Sequence, residues 1–253
     1  MPRAARKKSE TGIYHIMLRG INRQNIFEDE EDNERFLQIL QECKAVSGFK
    51  LFAYCLMGNH IHLLLKVENE GLEQIFRRIG ARFVYWYNWK YKRTGHLFQD
   101  RFKSEPIENE SYLLTVLRYI HQNPLKASLC KSVDAYKWSS YKTYLNGNGI
   151  TDIEFSLSIF DEDKQRELEQ FINFHKEESE AQCLELDEET YPLTDDEARK
   201  IIMKVCGAKN ATNFQGLDIK KRDKALQSLK ENGLSIRQIA RLTGVSFGIA
   251  RKI

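Results

Sequence analysis

The residues whose type and spacing best suit chemistry are two histidines separated by one apolar residue, in Cys55-Leu56-Met57-Gly58-Asn59-His60-Ile61-His62-Leu63-Leu64-Leu65-Lys66-Val67. The run is short and apolar, so it reads as a strand. Side chains alternate faces along a strand. His60 and His62 therefore share one face, while Ile61, Leu63, Leu65 and Val67 turn the other way, into a core. Two adjacent imidazoles suit a divalent metal; two polar residues at a solvated strand start would show the same pattern. Further along, Ser111-Tyr112-Leu113-Leu114-Thr115-Val116-Leu117-Arg118-Tyr119-Ile120-His121-Gln122-Asn123-Pro124 has helical spacing. Leu113, Val116, Leu117 and Ile120 form its inner stripe. Tyr119 and Asn123, four apart, project from one face one turn from each other. A helix delivering a phenol and an amide oxygen to two strand histidines would assemble a three-ligand metal site with a nucleophile beside it.

The elements that must position these groups follow in order. A basic arm at residues 2–8 leads into a short strand at 13–18, then a helix at 29–47 stopped by Gly48. Strands at 49–57 and 60–67 are joined at Gly58-Asn59, a hairpin signal. A second helix, 71–89, carries Phe83, Tyr85, Trp86, Tyr87 and Trp89 beside Arg77, Arg78 and Arg82. Most of those aromatics belong to a core, and some suit stacking on unpaired bases. A fourth strand at 98–106 and the tyrosine helix at 110–123, ended by Pro124, complete the order. The fold class is α+β: a ferredoxin-like βαββαβ domain with the tyrosine helix appended, followed by a small all-α helix-turn-helix domain.

Charge divides the 253 residues, whose net is only +3. Residues 1–150 carry 23 Lys and Arg against 16 Asp and Glu, 151–197 carry 3 against 17, and 198–253 carry 13 against 3. Basic blocks flanking an acidic stretch suit polyanion binding at both ends. The expected domains are 1–150 as the catalytic domain, 151–193 as an acidic helix (161–180) with a linker (181–193), and 194–253 as a helical DNA-binding domain. Within the first, Trp138-Ser139-Ser140-Tyr141 packs back on the domain, and Asn146-Gly147-Asn148-Gly149 marks its end. In the last, Thr194-Asp195-Asp196-Glu197 and Ser235-Ile236-Arg237-Gln238 have the form of capping boxes. Thr243-Gly244-Val245 is a tight turn between two short helices, as in a helix-turn-helix. Five scattered cysteines fit reduced thiols, and no run of about eighteen apolar residues occurs, so a cytoplasmic protein without a membrane segment is expected.

Leu56-Met57-Gly58-Asn59-His60-Ile61-His62, then Gly95-His96-Leu97-Phe98-Gln99-Asp100-Arg101-Phe102-Lys103-Ser104, then Arg118-Tyr119-Ile120-His121-Gln122-Asn123-Pro124 occur in one order. Together with Tyr14-His15-Ile16-Met17-Leu18-Arg19-Gly20-Ile21-Asn22-Arg23-Gln24-Asn25-Ile26-Phe27, they resemble the single-tyrosine HUH transposases, in particular the branch of REP-associated tyrosine transposases. The resemblance covers roughly the first 145 residues. It implies that Tyr119 attacks a DNA phosphodiester, releasing a 3′-hydroxyl and leaving a 5′-phosphotyrosine. It also implies Asn123 as third ligand beside His60 and His62, around Mg²⁺ or Mn²⁺. His121, the rival ligand, lies on the far side of a helix from Tyr119 and ranks below Asn123. His15, His96 and His175 are expected to be structural, with DNA contact as the alternative for His96, which lies in one of the motifs that carry the resemblance.

The substrate implied is single-stranded or hairpin DNA, with duplex contact through the helix-turn-helix, and the protein a homodimer or monomer. Expected DNA contacts are Arg3, Arg6, Arg77, Arg78, Arg82, Arg101, Lys103, Arg237 and Arg251. An alternative from another class is a catalytically idle DNA-binding regulator built on the same fold. A zinc-dependent hydrolase lacks a suitably placed acidic third ligand.

Overall fold

The sheet carrying the histidines is built from β1 (Ile13–Arg19), β2 (Lys50–Met57), β3 (His60–Lys66) and β4 (Lys103–Ile107), in the order β2-β3-β1-β4 with every neighbour antiparallel. This is a computed structural model describing residues 6–177, 183–184, 195–208 and 210–251. The order is that of a βαββαβ unit, whose two helices are α1 (Glu30–Ser47) and α2 (Leu72–Lys90). Asp29 caps α1 by accepting from the Asp32 amide at 3.2 Å, and Gly48, at φ 72°, ends it. β2 and β3 meet through the two-residue turn Gly58-Asn59.

Period-two alternation sorts the strands onto two cores. Ile16, Leu18, Leu56, Ile61, Leu63 and Leu65 pack with α1 and α2. Ile13, Cys55, Met57, Leu64 and Ile107 pack on the opposite face with a third helix, α3 (Glu110–Lys126). With both faces covered, the strands read as nearly continuous apolar runs.

Three boundaries differ from expectation. α3 runs through Pro124 to Lys126, because the missing proline N–H removes a single bond while the Ala127 amide still donates to Asn123 O at 3.0 Å. β4 begins at Lys103 rather than 98; Phe98 makes only an isolated bridge to Gly20. The third boundary is the one at residue 150. Contacts divide the chain into units 1–185 and 186–253, so α4 (Tyr141–Asn146), α5 (Glu154–Ser158) and α6 (Lys164–Lys176) belong to the first unit. Phe171 of α6 is fully buried and stacks on Tyr144 with ring centroids 4.5 Å apart. The acidic composition that suggested a boundary therefore does not mark one: α6, which carries Glu167 and Glu169, packs into the first unit through Phe171.

Residues 138–140 do pack back, pairing with β2 through Leu56 N to Trp138 O (2.9 Å) and Ser140 N to Tyr54 O (3.0 Å).

The second unit contains α7 (Asp195–Cys206), α8 (Ala211–Gln215), α9 (Ile219–Glu231), α10 (Ile236–Thr243) and α11 (Phe247–Arg251) around Ile202, Phe214, Leu226, Leu229 and Ile239. The Ser235–Gln238 capping box is formed, and Gly244, at φ 71°, ends α10. Thr194 and the linker residues 185–193 lie outside the described residues. No described helix is long and apolar enough to cross a membrane.

Candidate active site

The face of the sheet turned to α3 gathers polar side chains from three strands. β3 supplies His60 and His62, their rings 5.1 Å apart. Across the ladder from β1, Arg19 pairs with His60 and Met17 with His62. Met17 pairs on its other side with Lys103 of β4, which places that lysine on the same face. α3 supplies Tyr119, whose ring lies 5.5 Å from His62 and 5.8 Å from His15. One turn on, the Asn123 side chain hydrogen-bonds His60. Lys126, on the next turn, holds its ammonium 5.3 Å from the Tyr119 ring centroid. Tyr119 and His62 are buried, whereas His60 and Asn123 are half-buried and Lys126 is exposed.

Burial keeps the imidazoles neutral. His60 is pushed down to about 4, mainly by loss of water, with Arg19 adding and the Asn123 bond opposing. His62 lies well below the usual range for the same reason, reinforced by His15 and His60. Neutral imidazole is the metal-ligating form. The ring nitrogens are not equally engaged. His60 Nδ1 is 2.7 Å from Asn59 Oδ1, and His62 Nδ1 is 3.0 Å from His15 Nε2. His62 Nε2 is buried with no partner. An unsatisfied buried nitrogen costs about 1–3 kcal/mol, a cost that a bound ligand removes. Among the described residues, no cluster of three His, Cys, Asp or Glu side chains is placed to hold a metal. The Asn123 side-chain amide, hydrogen-bonded to His60, stands beside the pair as an oxygen donor. The residues present therefore fit a divalent cation with two imidazole ligands and one amide ligand.

Residues 8–123 match the profile of the family described as IS200-like transposases, Y1_Tnp. The first unit carries an IS200-like transposase domain. That family places the domain among enzymes of DNA transposition. A REP-associated tyrosine transposase, solved bound to a REP hairpin, has a similar fold: TM-score 0.52 at 18% identity, covering 61% of this chain and 96% of that one. A crystal structure described as a transposase from Deinococcus radiodurans R1 gives a TM-score of 0.34 at 16% identity, covering 48% of this chain and 97% of that one. No curated protein matches the chain.

The transposase domain places the remaining candidates unevenly. His121 is buried and both its nitrogens are used, by His175 Nε2 at 2.9 Å and Ser140 Oγ at 2.8 Å. It is a packing residue, as is its partner His175. His15, expected to be structural, instead lies in the site against His62 and Tyr119.

Of the arginines, Arg78 is held by Glu70 at 2.7 and 2.9 Å, Arg82 by Glu42, and Arg6 by Glu73 at 2.8 Å with its guanidinium 3.8 Å from the Phe102 ring centroid. Arg78 and Arg82 belong to α2, on the sheet face away from Tyr119, and their partners already neutralise them. Arg77 and Arg101 are exposed and line a cleft of about 460 Å³ between α2 and the segment before β4. In the second unit Arg237 and Arg251 are exposed, while Arg3 lies outside the described residues. On α2, Phe83 and Tyr87 are core, whereas Tyr85 and Trp89, four apart, are 78% and 72% exposed.

Asn59, Arg19 and Lys126 were not singled out from the sequence, and His15 was named only as structural. For Lys126 the signal was present: it lies seven residues, two helical turns, beyond Tyr119. For His15 and Arg19 only their shared parity was visible.

Proposed function

We propose that this domain cuts and rejoins single-stranded DNA through a covalent 5′-phosphotyrosine at Tyr119, acting on hairpin or palindromic sequence. The observation that carries the reading is the Tyr119 ring packed 5.5 Å from a buried histidine whose Nε2 has no partner. In the proposed step the Tyr119 oxygen attacks phosphorus, the bond to the 3′-oxygen breaks, and that oxygen leaves as a 3′-hydroxyl with a proton. The phosphodiester energy is kept in the new bond, so a 3′-hydroxyl can reverse the step without a nucleotide cofactor.

When bound by His60, His62 and Asn123, Mg²⁺ or Mn²⁺ supplies a Lewis acid that polarises a phosphate oxygen. Lys126, Lys103 and Arg19 surround the same face with positive charge, where the phenolate and then the phosphodiester carry negative charge. A single strand is the fitting substrate, because a buried phenol must reach one backbone whose bases are free to splay. The relative of the same fold holds a REP hairpin, which supports a hairpin substrate here. In the second unit, α10 and α11, with Arg237 and Arg251, would serve as the helix-turn-helix contact to duplex DNA.

The test is incubation with end-labelled single-stranded palindromic DNA and Mn²⁺. A protein–DNA adduct that disappears in Tyr119→Phe supports the reading. A mobility shift with no adduct at any metal concentration supports the idle regulator.

A further inference from the structure

A row of three side chains runs obliquely across one face of the sheet, since His15 is the ladder partner of Glu105 but lies diagonal to His62, which pairs with Met17; the cleavage chemistry uses only its last member. Glu105 of β4 is the ladder partner of His15 on β1, and His15 in turn meets His62 on β3. His15 and His62 are fully buried, while Glu105 is about one-third exposed. His15 Nε2 is 3.0 Å from His62 Nδ1. His15 Nδ1, at the other end of that ring, has no hydrogen bond within normal length and faces Glu105 Oε2 at 3.7 Å.

A neutral imidazole carries one N–H, so the contact between the two rings holds one hydrogen and the pair has two arrangements. In one, His15 is protonated on Nδ1 and turns that N–H to the carboxylate; its Nε2 then accepts from His62 Nδ1–H, and His62 Nε2 is left with a lone pair. In the other, both rings are reversed, the His15 Nδ1 lone pair faces the carboxylate, and His62 Nε2 carries the hydrogen. Glu105 chooses between them, because it can only accept. The Leu184 amide donates to its Oε2 at 3.2 Å, and Tyr112 also bonds it. The neighbouring His15 and these donors hold its carboxyl below the usual range, so it is ionised at neutral pH. A negative charge beside a lone pair is repelled, and beside an N–H is attracted.

We propose that Glu105 and His15 are positioning residues that lock His62 as the Nδ1–H tautomer, so that its Nε2 lone pair is presented to a divalent cation. The inference rests on the reading of His62 as a metal ligand and adds what sets its ligating form. Partners of this kind fix the ring and tautomer of metal-bound histidines generally. Here the partner of the ligand is a second histidine, with the carboxylate one residue further away.

The experiment uses the full chain, metal-free and labelled with [¹⁵N]histidine, and reads tautomers from long-range ¹H–¹⁵N correlations. His15 and His62 are both expected as Nδ1–H. Glu105→Gln, close to isosteric, removes the charge but still accepts from Leu184. It is expected to populate the reversed pair, with His62 as Nε2–H, and to weaken Mn²⁺ binding about tenfold or more. Native His62 found as Nε2–H would overturn the proposal. So would tautomers and Mn²⁺ affinity that both stay unchanged in Glu105→Gln. If the native tautomers are as expected but the native chain binds no Mn²⁺, the relay stands and the ligand role of His62 falls.

Discussion

Lowering the pH from 7 to 5 should destabilise the first unit, and the histidines set the size of the effect. His60 and His175 each fall from 6.5 to about 4 on folding, both chiefly through burial. A histidine whose folded value is depressed binds its proton in the unfolded chain first. Stability is therefore intact above 6.5 and is lost as pH falls towards the folded value. Between pH 7 and pH 5 each of the two costs about 2 kcal/mol by linkage, so about 4 kcal/mol together. His15, His62 and His121, lowered for the same reason, push the same way. Against a total of about 5–15 kcal/mol for a typical domain, that loss is large. All three tryptophans, Trp86, Trp89 and Trp138, lie in the first unit, so urea unfolding followed by tryptophan fluorescence reports that unit alone. The expected result is a midpoint that falls steadily from pH 7 to pH 5, with a shallower fall in His175→Gln. A stability that is flat over this range would refute the burial argument.

Other predictions follow from single contacts. Mn²⁺ at about one hundred times its dissociation constant should stabilise the first unit by about 2.7 kcal/mol, and calorimetry should show this lost in His62→Ala. Phe171→Ala should cost about 3–5 kcal/mol in the same fluorescence assay, because the ring is fully buried against Tyr144 in the core formed with α3. If residues 151–177 were a separate acidic segment, the loss would be near zero. Gly244→Ala should destabilise the second unit by about 1 kcal/mol or more. The backbone there is left-handed at φ 71°, and an added Cβ would lie 2.5 Å from the Gln215 side-chain nitrogen. Circular dichroism melting of the full chain, compared with the native protein, would show it.

Much of this site was readable from local pattern. The period of a strand put His60 and His62 together, and the period of a helix put Tyr119 and Asn123 together. Caps such as Asp29, Gly48, Ser235 and Gly244 act within a few residues, so sequence alone located the helices they bound. What escaped depended on pairing between distant segments. His15 and Glu105 share a face with His62 only once the register of β1 against β3 and β4 is known, and nothing local to β1 states it. Arg78 and Arg82 looked like a phosphate-binding face because a helix shows its charges but not their partners. Glu70 and Glu42, supplied from outside the helix, already occupy them. The negative charge of 151–197 was read as a boundary for a similar reason. Composition describes the side that meets water, whereas Phe171 and His175 describe the side that packs.

The central claim is that Tyr119 is the nucleophile of a site made by His60, His62 and Asn123. The most direct measurement is mass spectrometry of the protein after incubation with a single-stranded hairpin oligonucleotide and Mn²⁺. The account predicts a peptide containing residue 119 that bears a 5′-linked nucleotide, absent from Tyr119→Phe and reduced at least about a hundredfold in His62→Ala. DNA cleaved without any protein-linked nucleotide, or an adduct mapped to another tyrosine, would contradict it.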